Sequence, residues 1–225
     1  LPFMYASYLP LIMLFLQKAV DSKTKVYLNI FLTAVFLSLV YYGGYQVAII
    51  TIPFIFAFIV ITAIEKASLR PMITGLGIAI VFLLLSFPKF SLNLLLMSKY
   101  PRYIVDYSGY RLENLLYFLT VPNQNIQSNL FIKDFVYGVD ENSIYIGIFA
   151  FIVTLFGIFR IKSKYRILLI FLLILILGNT IMFSFFELLR MLPLYNELRV
   201  AQRFRFPFIL LLSMASAEGL KFINH

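Results

Sequence analysis

A run of 39 residues, Val26 to Ile64, carries no charged side chain. A helix crossing a bilayer needs about 20 predominantly apolar residues, so one straight helix over this run would overshoot the membrane. The run therefore reads as two antiparallel helices, with Tyr41-Tyr42-Gly43-Gly44-Tyr45 at its middle as the turn. Further charge-free runs extend from Leu1 to Gln17, Pro71 to Pro88, Asn142 to Phe159, Ile167 to Phe186 and Phe206 to Ala217. The last can continue past Glu218 to Phe222, because an acid near a helix end reaches the interface. The expectation is an all-α, polytopic transmembrane helical bundle of about seven spans.

Composition narrows the chemistry. Charged residues make up 13% of the chain, against about 25% in soluble domains, which excludes a soluble enzyme. Disorder is excluded by an aromatic content of 18%. With 0 Cys and the single His225, disulfides, thiol nucleophiles, His-based catalysis and multi-His metal sites all fall away. The net charge of +9 is explained by basic residues bordering spans, so no nucleic-acid partner is expected. The chain enters directly in apolar sequence at Leu1, and we expect it to be a fragment: one membrane domain, 1–225, of a longer protein.

Short loops rich in Lys and Arg stay cytoplasmic. Lys18, Lys23 and Lys25 follow span one, Lys66 and Arg70 follow span three, and Arg160, Lys162, Lys164 and Arg166 follow span five. All three connections fall on one side. The Gly-Gly turn, the segment 89–142 and the segment 187–205 then face outward, and the C-terminus is cytoplasmic. The 89–142 insertion is extracytoplasmic, partly helical and electrically balanced.

Four polar groups gather on the outer side. Pro88 is expected to stop span four, placing Lys89 at the interface either as a snorkelling anchor or as a cation suited to a phosphate. Beyond it, Ser91 to Tyr100 can form a short amphipathic helix along the membrane surface. Tyr100, Tyr103, Tyr107, Tyr110 and Tyr117, mixed with Arg102 and Arg111, read as an interfacial belt or as a sugar-stacking platform. Val121 to Asn125 reads as an irregular loop. Asp140 and Glu141, ahead of Tyr145-Ile146-Gly147, suit the N-terminus of span five, with Asp140 or Asn142 as N-cap. The same two carboxylates could serve as a general base or hold a divalent cation through oxygen ligands, with Tyr145 beside them and Gly147 admitting a close helix neighbour. Finally, Leu192 to Pro207 carries Arg199 and Arg203, four apart on one face if helical, with Arg205 and Arg190 nearby. Arginines here run against the positive-inside tendency, and their forked guanidinium suits a phosphate. The alternative is snorkelling and pairing with Glu197 or Glu187. Asn179, beside Gly178 inside span six, suits an interhelical hydrogen bond.

The Gly43-Gly44 turn, the Phe87-Pro88-Lys89-Phe90 span end, Tyr145-Ile146-Gly147 and Leu192-Pro193-Leu194-Tyr195 running to Leu198-Arg199-Val200 and Arg203-Phe204 resemble multi-spanning membrane proteins of the YfhO-like type. That group is similar to GT-C glycosyltransferases, which use polyprenyl-phosphate-linked sugars. The resemblance implies sugar transfer at the extracytoplasmic face, with membrane lipid and a polyprenyl-linked sugar as partners. It carries over Arg199 and Arg203 alone, as lipid-phosphate ligands; the residues' own chemistry adds Lys89 and Arg111 in support and Tyr107, Tyr110 and Tyr145 facing the sugar. It assigns no base: the superfamily's catalytic acid usually sits in the first external loop, near the first span, and no such element is found here, as expected if the chain holds only the later part of the membrane domain. The competing readings are a transporter or flippase of lipid-linked sugars and a non-catalytic membrane scaffold. Uncharged span interiors disfavour an ion-coupled carrier, and Pro53 and Gly178-Asn179 are the candidate helix breaks.

Overall fold

The computed structural model describes residues 2–22, 24–99, 111–122, 144–178, 185–192, 195, 198 and 201–223. Among them every regular element is helical. The chain divides into two compact units, 1–103 and 104–225, with the boundary inside the 89–142 segment.

In the first unit a 3-10 helix, Pro2–Tyr8, leads into α1 (Leu9–Asp21), followed by α2 (Val26–Gly43), α3 (Tyr45–Glu65) and α4 (Arg70–Lys99). The charge-free run is indeed two helices, separated by Gly44 alone. α2 is the centre of the unit and packs against α1, α3 and α4. α1 contributes Leu9, Ile12, Leu16 and Ala19 to the core, the three-and-four spacing of one helix face. α4 contributes Thr74, Ile78, Phe82 and Ser86 at four-residue intervals and leaves Ile73, Leu76, Leu84 and Phe87 exposed. Such helices, apolar all round and covered on one side only, need a non-aqueous solvent on the other. α2, α3 and α4 are each long and apolar enough to cross a membrane.

Two features depart from the sequence expectation. Pro53 lies within a continuous α3 and breaks nothing. Pro88 likewise fails to end α4, which runs unbroken to Lys99, so the separate surface helix expected from Ser91 does not exist. A proline removes one ladder hydrogen bond and weakens the turn before it. Here the Tyr42 hydroxyl donates to the Leu85 carbonyl in that turn at 3.1 Å. The carbonyl Pro88 frees is that of Leu84, four residues back, so the Tyr42 bond falls on the next carbonyl and supports the weakened turn from α2.

The second unit holds α5 (Leu112–Thr120), α6 (Ile148–Ile158), α7 (Ser163–Leu177), α8 (Phe185–Arg190), a 3-10 turn Ala201–Phe204 and α9 (Arg205–Ile223). α6 and α9 meet backbone to backbone: a Cβ on Gly157 would run into the Ala215 carbonyl, and one on Gly219 into the Val153 carbonyl. Ala215 and Gly219 are four apart, the small-residue spacing of close membrane-helix crossings, and Thr154 hydrogen-bonds Ser216 across the same contact. The Arg160 guanidinium, just beyond α6, lies 4.4 Å from the Phe222 ring centre, so α6 and α9 end on the same side of the unit. Glu218, inside the extended last run, pairs with Lys221 at 2.7 Å. The α6 helix, at 11 residues, spans only about 16 Å, shorter than the span expected over Asn142 to Phe159.

Candidate functional site

α4 presents Ser86, Lys89 and Asn93 to α2 at three- and four-residue spacing, which places all three on one helix face. Ser86 hydrogen-bonds Ser38 at 3.1 Å, Lys89 Nζ donates to the Tyr42 carbonyl at 2.5 Å, and Asn93 Nδ2 donates to the Tyr41 hydroxyl at 3.0 Å. The Lys89 ammonium also lies 5.9 and 5.8 Å from the Tyr41 and Tyr42 ring centres. Tyr42 closes the last turn of α2, where exposed carbonyls and the negative end of the helix dipole attract a cation. Lys89 therefore braces the α2–α4 seam while its half-buried ammonium keeps further donors. Tyr41 and Asn93 were missed by sequence reasoning, although the four-residue step from Lys89 to Asn93 was the available signal.

In the second unit the arginine-bearing segment is interior. Gln202 is fully buried, and Arg203 and Arg205 are 6% and 5% exposed. The turn carrying Gln202 and Arg203 packs on α7 and leads into α9, which Arg205 opens, with Phe204 and Phe186 in an edge-to-face contact at 6.4 Å. Arg205 lies over the neighbouring Phe206 ring at 5.1 Å. Burying two guanidinium groups at the head of α9 places their interactions where water screens little. Snorkelling to an interface, the competing expectation for Arg203, predicts an exposed head group and does not describe this burial. Gln202 and the depth of Arg205 went unrecognised, because an Arg-x-Arg pair reads the same whether it is buried or exposed.

Arg111 and Tyr145 are placed by α5. Arg111 is exposed and occupies the N-cap position, with extended backbone. Tyr145 sits beyond the other end of that helix, where the amides of Ile146 and Gly147 both donate to the Leu119 carbonyl at 3.1 and 3.2 Å. Eight residues of helix, about 12 Å, separate the two positions. Gly147 caps α6 with φ +88, a conformation that suits glycine. Among the described residues, Tyr145 alone approaches the place a side chain would occupy there, and Gly147 serves a backbone turn. The α6 helix thus begins after Gly147, which holds its N-cap position, and Asp140 and Asn142 lie outside the described residues.

Asp140, Glu141, Tyr107, Tyr110, Asn179 and Arg199 lie outside the described residues. Among the described residues, no three His, Asp or Glu side chains gather as a metal site. No family model matches the chain, and no curated protein and no solved structure is significantly similar to it.

Proposed function

We propose that this chain is a membrane glycosyltransferase-like domain, binding a polyprenyl-phosphate-linked sugar at the extracytoplasmic face and transferring the sugar. The observation that carries the reading is the buried Gln202-Arg203-Phe204-Arg205 segment at the head of α9. A guanidinium held in a low-dielectric setting binds phosphate more strongly than one in water and stabilises charge as it develops on a leaving phosphate. Arg203, with Arg199 four residues before it, would neutralise the lipid phosphate. Lys89 and Arg111 would add long-range attraction, and Tyr107, Tyr110 and Tyr145 would face the sugar. Asp140 and Glu141 would supply a base or ligate a divalent cation.

The reading needs about seven crossings, with the basic connections cytoplasmic. Support comes from each unit taken by itself. In the first, Lys66 pairs with Asp21 at 2.6 Å, so the α1–α2 and α3–α4 connections share one end. In the second, Arg160 stacks on Phe222, which puts the basic α6–α7 connection at the end where α9 finishes. The insertion and the arginine segment would then face outward and the C-terminus inward.

The test is lipid-linked-sugar turnover in the full-length protein carrying Arg203→Ala or Arg203→Lys. The reading expects a loss of about 100-fold or more for alanine and only partial rescue by lysine, which lacks the fork. Unchanged turnover in a folded Arg203→Ala protein excludes the phosphate role.

A further inference from the structure

An apolar groove of about 440 Å³ runs along the outside of the α3–α4 seam, between Ile52, Phe56 and Ile59 on α3 and Gly75, Leu76 and Ala79 on α4. Its size falls within the roughly 300–1,000 Å³ of small-molecule sites. Gly75 makes the seam deep, since a Cβ there would stand 2.7 Å from Ile59 Cδ1. Phe90 closes one end. At the other end Met72 is shared with a second apolar hollow of about 390 Å³, whose lining ends at Ala67, Ser68 and Leu69. Along α4, Leu69 to Phe90 is about 31 Å, the thickness of the bilayer core. Both walls belong to helices fit to cross a membrane, so the medium bathing the groove is acyl chain.

Both ends carry cations, Lys89 beside Phe90 at one and a larger cluster at the other. The end at Ser68 carries Lys18, Lys25, Lys66 and Arg70 against Asp21 and Glu65. Lys66 and Arg70 flank the Ala67–Leu69 wall, and they also brace α1 by donating to the Val20 and Ser22 carbonyls. The long α4 helix begins at Arg70 and adds the positive end of its dipole there. We propose that the α3–α4 groove is a specific lipid site, holding one acyl chain of an anionic glycerophospholipid whose phosphate rests at the Lys66–Arg70 loop. Charge complementarity selects the anionic over the zwitterionic lipid, because basic residues at a membrane surface attract anionic headgroups. This site lies in the first unit and stands or falls independently of the sugar-transfer reading.

The experiment places photoreactive p-benzoylphenylalanine at Leu76, on the groove wall, or at Ile73. Ile73 is equally exposed on the same helix but lines neither hollow. The protein is reconstituted in nanodiscs of equal phosphatidylglycerol and phosphatidylcholine, irradiated, and its adducts are weighed by mass spectrometry. Leu76 is expected to capture phosphatidylglycerol over phosphatidylcholine by about fivefold, the factor one basic residue at a membrane surface supplies, while Ile73 reports the bulk mixture. Ala79→Phe, which fills the groove, should reduce the Leu76 ratio to that of Ile73, and Arg70→Gln should lower it. Equal ratios at the two positions, indifference to Ala79→Phe and Arg70→Gln, or capture of protein in place of lipid at Leu76 would each overturn the site.

Discussion

Lys89 shows how one side chain can satisfy a structural demand and keep its charge in play. Its contacts with the Tyr42 carbonyl and the two tyrosine rings tie α4 to the end of α2. A cation at a helix C-terminus and a cation over aromatic faces are each worth about 0.5–1 kcal/mol. Lys89→Met should therefore destabilise the first unit by about 1 kcal/mol, read as a lowered melting midpoint in detergent, and an unchanged midpoint would contradict the brace. Tyr42→Phe removes the hydroxyl that serves the Leu85 carbonyl and should cost about 1 kcal/mol. In a Pro88→Ala background the Leu84 carbonyl regains its helical partner and the turn no longer needs support from α2, so the same change should cost less. The loss is measured as the difference between the two backgrounds in a double-mutant cycle.

Arg203 is the residue-scale case in which chain position misled. An arginine just ahead of an apolar run reads as an interfacial anchor or as a phosphate ligand, and spacing cannot separate the two. Burial removes the exposed anchor, because an anchor keeps its head in water and Arg203 is 6% exposed, and it fits pairing within the chain as well as a phosphate.

At the scale of elements, the α2–α3 turn was legible because length is a hard constraint. Membrane thickness forbids a 39-residue helix, and Gly43-Gly44 sits at the only sensible break. The extent of α4 was not legible. Proline as a terminator is a rule for helices in water, and the turn before Pro88 is supported by Tyr42, a residue 46 positions away whose approach no local pattern announces. The start of α6 was misplaced for a related reason. Acidic residues marked an N-terminus by propensity, while the Ile146 and Gly147 amides are committed to α5 through the Leu119 carbonyl. The α6–α9 contact was invisible as a pair, since Gly157 and Gly219 are 62 residues apart. Gly157→Leu should force those backbones apart and cost about 3 kcal/mol. Limited proteolysis should then cut the second unit while leaving the first protected, and equal protection of both would contradict the close crossing.

At the scale of the whole molecule, each unit has a strongly basic end. In the first it is formed by the connections that carry Lys66 and Arg70, and in the second by the connection from Arg160 to Arg166. From Arg70 to Lys89 along α4 is about 28 Å, so two cations bracket one hydrocarbon thickness, and the helix continues about 15 Å beyond it. The charges scarce in the sequence thus fall where a bilayer would put them. The central claim is that α2, α3 and α4 cross a membrane with the Ser68 connection and the far end of α4 on opposite sides. The chain contains 0 Cys, so single cysteines report without background. Ser68→Cys and Ser91→Cys, both at exposed positions, are probed in intact cells with a membrane-impermeant maleimide. The account predicts that Ser91→Cys labels from outside and that Ser68→Cys labels only after permeabilisation. Labelling of both from the same side would contradict it.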